Sequence, residues 1–166
     1  MTQWRSRPLD EHDGLAEFDC GVAVLDEWLR GQALRAQGSD TARTYVWTAP
    51  GSRRVVAYYA IAPTQVLRDE VSRNLSGGVT VVPAYLLARL ALDRSLHGQG
   101  LGSELLVDAL DRIVQASTAA AGRLIVVDAI DDAAAAFYGH HDFQVVKDSQ
   151  RRLVMKVSTA RKALGG

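Results

Sequence analysis

Cysteine occurs once in the 166 residues, at Cys20, which excludes an intramolecular disulfide and any cysteine-rich zinc centre. Proline is nearly as scarce: four prolines and 14 glycines leave no proline- or glycine-rich linker, and the composition is that of one ordinary globular domain, residues 1–166. There is no excess of charge, because 19 basic residues balance 19 acidic ones, so composition does not mark a nucleic-acid binder. Long apolar runs are missing too: nothing approaches the roughly 18 residues of a membrane span, and the polar start has no signal-peptide core. A cytoplasmic protein without membrane attachment is expected. His97, His140 and His141 lack a third ligand at metal-binding spacing, so they read as loop and helix-end histidines and no metal is expected.

What is present starts at residues 89–102, R-L-A-L-D-R-S-L-H-G-Q-G-L-G, where an apolar strand runs into a glycine-rich turn and then a long helix. Backbone N–H groups at Gly98, Gln99, Gly100, Leu101, Gly102 and Ser103 can converge on a phosphate, since the glycines remove obstructing side chains and the helix start adds its dipole. Two well-known loops fail here. A nucleoside-triphosphate loop needs Lys-Ser/Thr after its last glycine, whereas Ser103-Glu104 follow here, and a dinucleotide fingerprint starting at Gly98 needs glycine where Ser103 stands. Read by itself, the loop serves either a phosphate ligand or only a tight strand-to-helix connection.

The rest of the chain alternates strand and helix. Strands are expected at residues 4–9, 44–48 and 55–62, the last two joined by a hairpin at 49–52, with a helix at 22–36 whose Leu25, Trp28, Leu29 and Leu34 share one face. Residues 64–78 read as a short helix and loop, and 79–93 as the strand feeding the glycine turn. Leu101, Leu105, Ala109 and Ile113 then repeat every four residues along an amphipathic helix of about twenty residues, which Gly122 ends. Residues 124–129 suit a buried strand parallel to 79–93. Asp131 or Asp132 caps a helix at 133–140, and 144–146 with 153–157 close the sheet as a hairpin. This is an α/β (α+β) pattern with a mixed central sheet of six or seven strands and about four helices.

Four segments carry a resemblance. His97-Gly98-Gln99-Gly100-Leu101-Gly102 resembles the Q/R-x-x-G-x-G/A pyrophosphate loop of the GNAT acetyltransferase superfamily, with histidine at the first position. Residues 134–143, A-A-A-F-Y-G-H-H-D-F, resemble its A-x-x-F-Y-x-x-x-G-F motif, with Asp142 where glycine is usual, at a left-handed helix end that aspartate tolerates. Phe18-Asp19-Cys20-Gly21 with Leu25-Asp26-Glu27-Trp28-Leu29, and the strand L-L-A-R-L-A-L-D at 86–93, are similar to the acetyltransferase toxins of bacterial toxin–antitoxin pairs. The four motifs in this order span almost the whole chain.

The resemblance implies the GNAT fold and transfer of acetyl from acetyl-CoA to the α-amine of an aminoacyl-tRNA, which removes that tRNA from translation. It implies that Tyr138 protonates the departing thiolate, and that Leu90, Ala91, Leu92, residues 97–103 and Phe137 hold the cofactor. A cognate DNA-binding antitoxin and a homodimer are implied as partners. Arg30, Arg35, Arg43, Arg89 and Arg94 are candidate tRNA contacts, each equally readable as solvated surface. Residues 147–162 hold six basic residues against Asp148 alone, a further basic stretch. The acceptor chemistry agrees: an α-amine, with a reference pKa of about 8 against about 10.4 for lysine, needs no strong base, and the strand 79–92 offers no carboxylate. Two alternatives stay open, a different amine (polyamine, antibiotic or protein N-terminus) and a non-catalytic acyl-CoA-binding regulator. Cys20, a lone thiol in a turn, is expected to be buried and inert.

Overall fold

A computed structural model describes residues 4–165, which divide into two compact units. One comprises the chain up to Ala62 with Ala88–Ala109, the other Pro63–Leu87 with the chain from Leu110 onward. The elements in chain order are β1 (Arg7–Pro8), α1 (Ala23–Gly31), α2 (Ala33–Gly38), β2 (Arg43–Thr48), β3 (Val55–Leu67), α3 (Arg73–Ser76), β4 (Val81–Leu92), α4 (Leu101–Ala116), β5 (Leu124–Asp128), α5 (Asp132–His140), β6 (Gln144–Val145), β7 (Arg152–Lys156) and α6 (Val157–Ala163). The strands form a mixed seven-stranded sheet ordered β1-β2-β3-β4-β5-β7-β6.

In the first unit β2 pairs antiparallel with β1 and with β3, from Arg43↔Ile61 to Thr48↔Val55. The β2–β3 turn closes by Ala49 N–H donating to the Arg54 carbonyl at 3.0 Å, with Gly51 at φ +69°. Leu9, Phe18, Cys20, Leu25, Leu29, Ala33, Val46, Val55, Tyr58 and Ala91 make the core under α1 and α2. The expected single helix over 22–36 is two helices, broken at Gln32. That break turns the chain, so Leu34 leaves the apolar face and is 38% exposed, whereas Leu25 and Leu29 stay buried. Inside α4, Asp108 accepts hydrogen bonds from Ser6 N–H (3.2 Å) and hydroxyl (2.5 Å), Trp47 Nε1 (3.1 Å) and the Tyr59 hydroxyl (2.6 Å). This charge-assisted cluster fixes the helix that follows the glycine turn onto the strands of the unit.

In the second unit β4 pairs parallel with β5, from Ala84↔Leu124 to Leu86↔Val126, and β5 and β6 both run antiparallel to β7. β5 is the nearly all-apolar run, and Leu124, Ile125, Val126 and Val127 are buried. Over this sheet a 3₁₀ turn at Arg68–Glu70 and α3 pack Val71 and Leu75 against Val82, Ala84, Leu124, Val126, Val146 and Val154. Arg123 ties α3 down by donating from Nε to the Leu75 carbonyl (2.8 Å) and from Nη2 to the Asn74 carbonyl (2.9 Å). The boundaries differ from the sequence pattern in several places, and of the strand expected at 4–9 only Arg7–Pro8 pairs. β3 runs on to Leu67, α4 stops at Ala116 well before Gly122, and a helix, α6, follows β7 directly.

Candidate active site

The first unit carries the glycine loop. β4 ends at Leu92, and Asp93 begins a 3₁₀ turn, Arg94–Leu96. The Asp93 carboxylate, 4% exposed, accepts from Ser95 N–H (3.1 Å), the Ser95 hydroxyl (2.7 Å) and Asp19 N–H (3.0 Å). Burial pushes its pKa up, but these hydrogen bonds and the nearby Arg54 outweigh that and hold it below the ordinary value. Arg94 N–H donates to the Asp19 carbonyl at 2.9 Å, and Arg94 Nε meets the Asp19 carboxylate at 3.1 Å. The F-D-C-G segment is thus the buttress of the loop, a role that spacing alone did not disclose.

Gly98 and Gly100 adopt φ +77° and +75°, the left-handed region closed to most side chains, and a Cβ at either would meet nothing within 4 Å. Among the described residues no backbone acceptor takes the N–H groups of Gly98, Gln99 or Gly100, and Leu101, Gly102 and Ser103 form the first turn of α4. The unbonded amides of Gly98, Gln99 and Gly100, with open space beside both glycines and a helix start following, suit a diphosphate. Gly102 serves as a helical residue rather than a turn glycine. His97 points back: its Nε2 lies 2.7 Å from the Leu92 carbonyl, so it donates there and clasps the end of the strand to the loop. Leu90, Ala91 and Leu92 are the last residues of β4, past the final pair of the β5 ladder, Leu86↔Val126.

The second unit carries Tyr138, in α5. Asp131 caps this helix, its carboxylate accepting Ala134 N–H at 2.8 Å. At the other end Asp142 N–H donates to the Gly139 carbonyl (3.2 Å) and Phe143 N–H to the Tyr138 carbonyl (3.1 Å), with Asp142 at φ +70°. This is a Schellman end, and its apolar clasp is Phe143 edge-on to Tyr138 with ring centroids 5.5 Å apart. Phe137 also meets the Tyr138 ring edge-on, with centroids 5.3 Å apart. The F-Y-x-x-x-D-F spacing therefore exists to hold one phenol. Tyr138 is 8% exposed and burial raises its pKa, so it is protonated at every physiological pH. Among the described residues its hydroxyl has no hydrogen-bond partner, yet that oxygen is not one of the sealed, unsatisfied atoms. It is free to donate to a ligand.

The five candidate arginines differ. Arg43 is paired with Asp40 (2.5 Å), Arg94 with Asp19, and Arg30 gives Nη1 to the Phe18 carbonyl (2.9 Å). Arg35 is exposed, and Arg89 is half-buried with its guanidinium over the Trp28 ring. Among the described residues neither of these two meets a carboxylate. Cys20 is buried, its thiol pushed up to about 11 by desolvation and by Asp26, which makes it a packing residue. Asp26, though a charged residue, is only 7% exposed and accepts Cys20 N–H at 2.9 Å. No cluster of three metal-ligating side chains occurs among the described residues.

The mixed sheet of this strand order is that of a GNAT-type acetyltransferase, and the relatives agree. No protein-family model matches the chain. A tRNA-acetylating toxin of Mycobacterium tuberculosis H37Rv is 37% identical over 163 residues, covering 96% of this chain and 95% of that protein. Among solved structures, AtaT complexed with acetyl-methionyl-tRNAfMet superposes with a TM-score of 0.88 at 25% identity, covering 98% of this chain and 99% of that one. AtaTR bound with AcCoA gives a TM-score of 0.84 at 27% identity, with 99% of each covered. The AtaT-AtaR complex bound to DNA gives 0.78 at 25% identity, covering 96% and 98%. The chain belongs to the family of GNAT acetyltransferase toxins that includes the tRNA-acetylating toxin.

Proposed function

We propose that this protein moves acetyl from acetyl-CoA to the α-amine of an aminoacyl-tRNA and so withdraws that tRNA from translation. The observation that carries the reading is the near full-length relationship to a tRNA-acetylating toxin, and the unbonded amides at residues 98–100 suit the diphosphate of the co-substrate. Acetyl-CoA brings the activated thioester. Around it the N–H groups of Gly98, Gln99, Gly100, Leu101 and Gly102, with Ser103, hold the diphosphate, and the main chain of Leu90, Ala91 and Leu92 orients and polarises the acetyl carbonyl. His97 keeps loop and strand together, and Phe137 adds apolar contact. The amine nitrogen bonds to the carbonyl carbon, the carbon–sulfur bond breaks, the surplus amine proton leaves to solvent, and Tyr138 gives its proton to the sulfur.

We read residues 1–166 as one catalytic domain. We also propose a homodimer, a cytoplasmic location and neutralisation by a DNA-binding antitoxin, the last supported by the AtaT-AtaR complex bound to DNA. No described helix is long and apolar enough to cross a membrane. The test is incubation of purified protein with labelled acetyl-CoA and bulk charged tRNA, followed by mass spectrometry of the released aminoacyl-adenosines. Acetyl on the α-amine is expected. Cofactor binding with no transfer to any amine would instead identify an acyl-CoA-binding regulator.

A further inference from the structure

Arg89 lies one residue before Leu90 in β4, and Ala91, two residues on, belongs to the apolar cluster under α1. Alternation along the strand puts Arg89 and Ala91 on the face toward α1 and Leu90 on the other. The Arg89 guanidinium carbon sits 5.2 Å from the centroid of the Trp28 ring. Trp28 in turn stacks on Tyr58, with centroids 6.0 Å apart and planes 9° from parallel. Tyr58 is fully buried and anchored by its hydroxyl, which donates to the Leu25 carbonyl at 2.7 Å. The guanidinium is the top of a braced aromatic column.

A half-buried arginine is ordinarily met by a carboxylate. Among the described residues none meets Arg89: Nη1 reaches only the adjacent Ala88 carbonyl at 3.1 Å, and Nε is enclosed with no partner. Nη2 makes no hydrogen bond among the described residues and is not among the enclosed atoms, so an acceptor from outside the chain can reach this acceptor-poor cation there. Its place beside Leu90–Leu92 selects that acceptor. An α-amine brought to an acetyl group held there is esterified through its carbonyl to a terminal ribose, whose nearest formal negative charge is the phosphodiester on the 5′ side. A guanidinium held over an aromatic face and donating from its Nη2 end suits that group.

We infer that Arg89, braced by Trp28, grips the 3′-terminal phosphodiester of the aminoacyl-tRNA and thereby sets the α-amine against the acetyl group. This rests on the aminoacyl-tRNA reading above. Arg89 touches the substrate, and Trp28 is a positioning residue acting through it.

The experiment compares two hydrolysis-resistant acceptors, a 3′-aminoacylamino-adenosine and the same compound extended by a 5′ cytidylyl phosphodiester. Wild-type protein is expected to favour the phosphodiester-bearing acceptor by about tenfold or more in kcat/KM, mostly through KM. Arg89→Ala should bring the two acceptors to within about twofold of each other, and Arg89→Lys should keep part of the preference. Trp28→Leu should erode it, while Trp28→Phe, which restores an aromatic face, should retain it. Because the readout is a ratio within one protein, a general loss of stability does not imitate it. Arg89→Ala protein that keeps the wild-type preference, or loses rate on both acceptors in equal proportion, overturns the proposal. Wild-type protein that acetylates charged tRNA but shows no preference between the acceptors overturns it while leaving the aminoacyl-tRNA reading intact; transfer to no aminoacyl acceptor removes both.

Discussion

A phenol buried against two phenylalanine rings is a poor base and a durable acid. Desolvation raises the pKa of Tyr138 above its ordinary value, so the hydroxyl carries its proton throughout the working range and can hand it to a developing thiolate. Replacing Tyr138 by Phe should lower kcat by roughly 10²- to 10⁴-fold while calorimetry finds acetyl-CoA affinity little changed. The same reasoning fixes the pH profile. The acceptor amine, with a reference pKa of about 8, must be neutral to attack, so kcat/KM on an amide acceptor analogue should climb from pH 6 to about 8 and then level off. A falling limb below about pH 10 would mean that a group of ordinary pKa, and not the buried phenol, is the acid. Asp142 gives a stability test at the same scale. It occupies φ +70° at the Schellman end that seats Tyr138, a conformation glycine adopts without strain. Asp142→Gly should raise stability by about 1 kcal/mol or less, read as a rise in Tm of up to about 4 °C.

At the scale of the element, the glycine loop is held from behind. Asp93 receives three hydrogen bonds and the F-D-C-G segment closes on it through Asp19 and Arg94, so the amides of residues 98–100 present a fixed cradle. A side chain at Gly100 would have room but the wrong backbone, since φ +75° strains a β-branched residue by about 1–3 kcal/mol. Gly100→Val should therefore weaken acetyl-CoA binding about tenfold or more by calorimetry, with the fold retained by circular dichroism. Asp93, whose folded pKa lies below its unfolded one, contributes stability that is present above about pH 4 and lost as pH falls through the folded value. Thermal melts from pH 7 to 3 should show that loss, and Asp93→Asn should shrink it while lowering stability at neutral pH by about 1–3 kcal/mol.

Much of this element was legible in the sequence, because glycines in left-handed turns and a four-residue apolar repeat leave marks in composition and spacing. The buttress was not. Hydrogen bonds joining Asp19 to Asp93 cross more than seventy positions of chain, and no local pattern encodes them. The break at Gln32 and the helix after β7 were hidden for a related reason, since tertiary packing and not periodicity decides where those segments turn.

At the scale of the whole molecule, a net charge of zero means that attraction to tRNA cannot come from a general field and must come from local cations. The ion pairs sort these cations. Arg43 and Arg94 are already neutralised by Asp40 and Asp19, whereas Arg35 and Arg89 meet no carboxylate among the described residues. Only an unpaired cation displaces counterions from a phosphate without first giving up an internal partner, so the salt dependence of binding should count the unpaired ones. Each such phosphate contact contributes a slope of about −0.7 to −0.9 in log K against log salt. Replacing Arg35 and Arg89 together by Ala should make the slope for charged tRNA shallower by about 1.4 to 1.8, measured by filter binding from 50 to 200 mM salt. Replacing Arg43 and Arg94 together should move it by well under one, because each loses an aspartate as it gains a phosphate. If the second pair flattens the slope as much as the first, the ion pairs open on binding and the face that meets the tRNA is built from all four arginines.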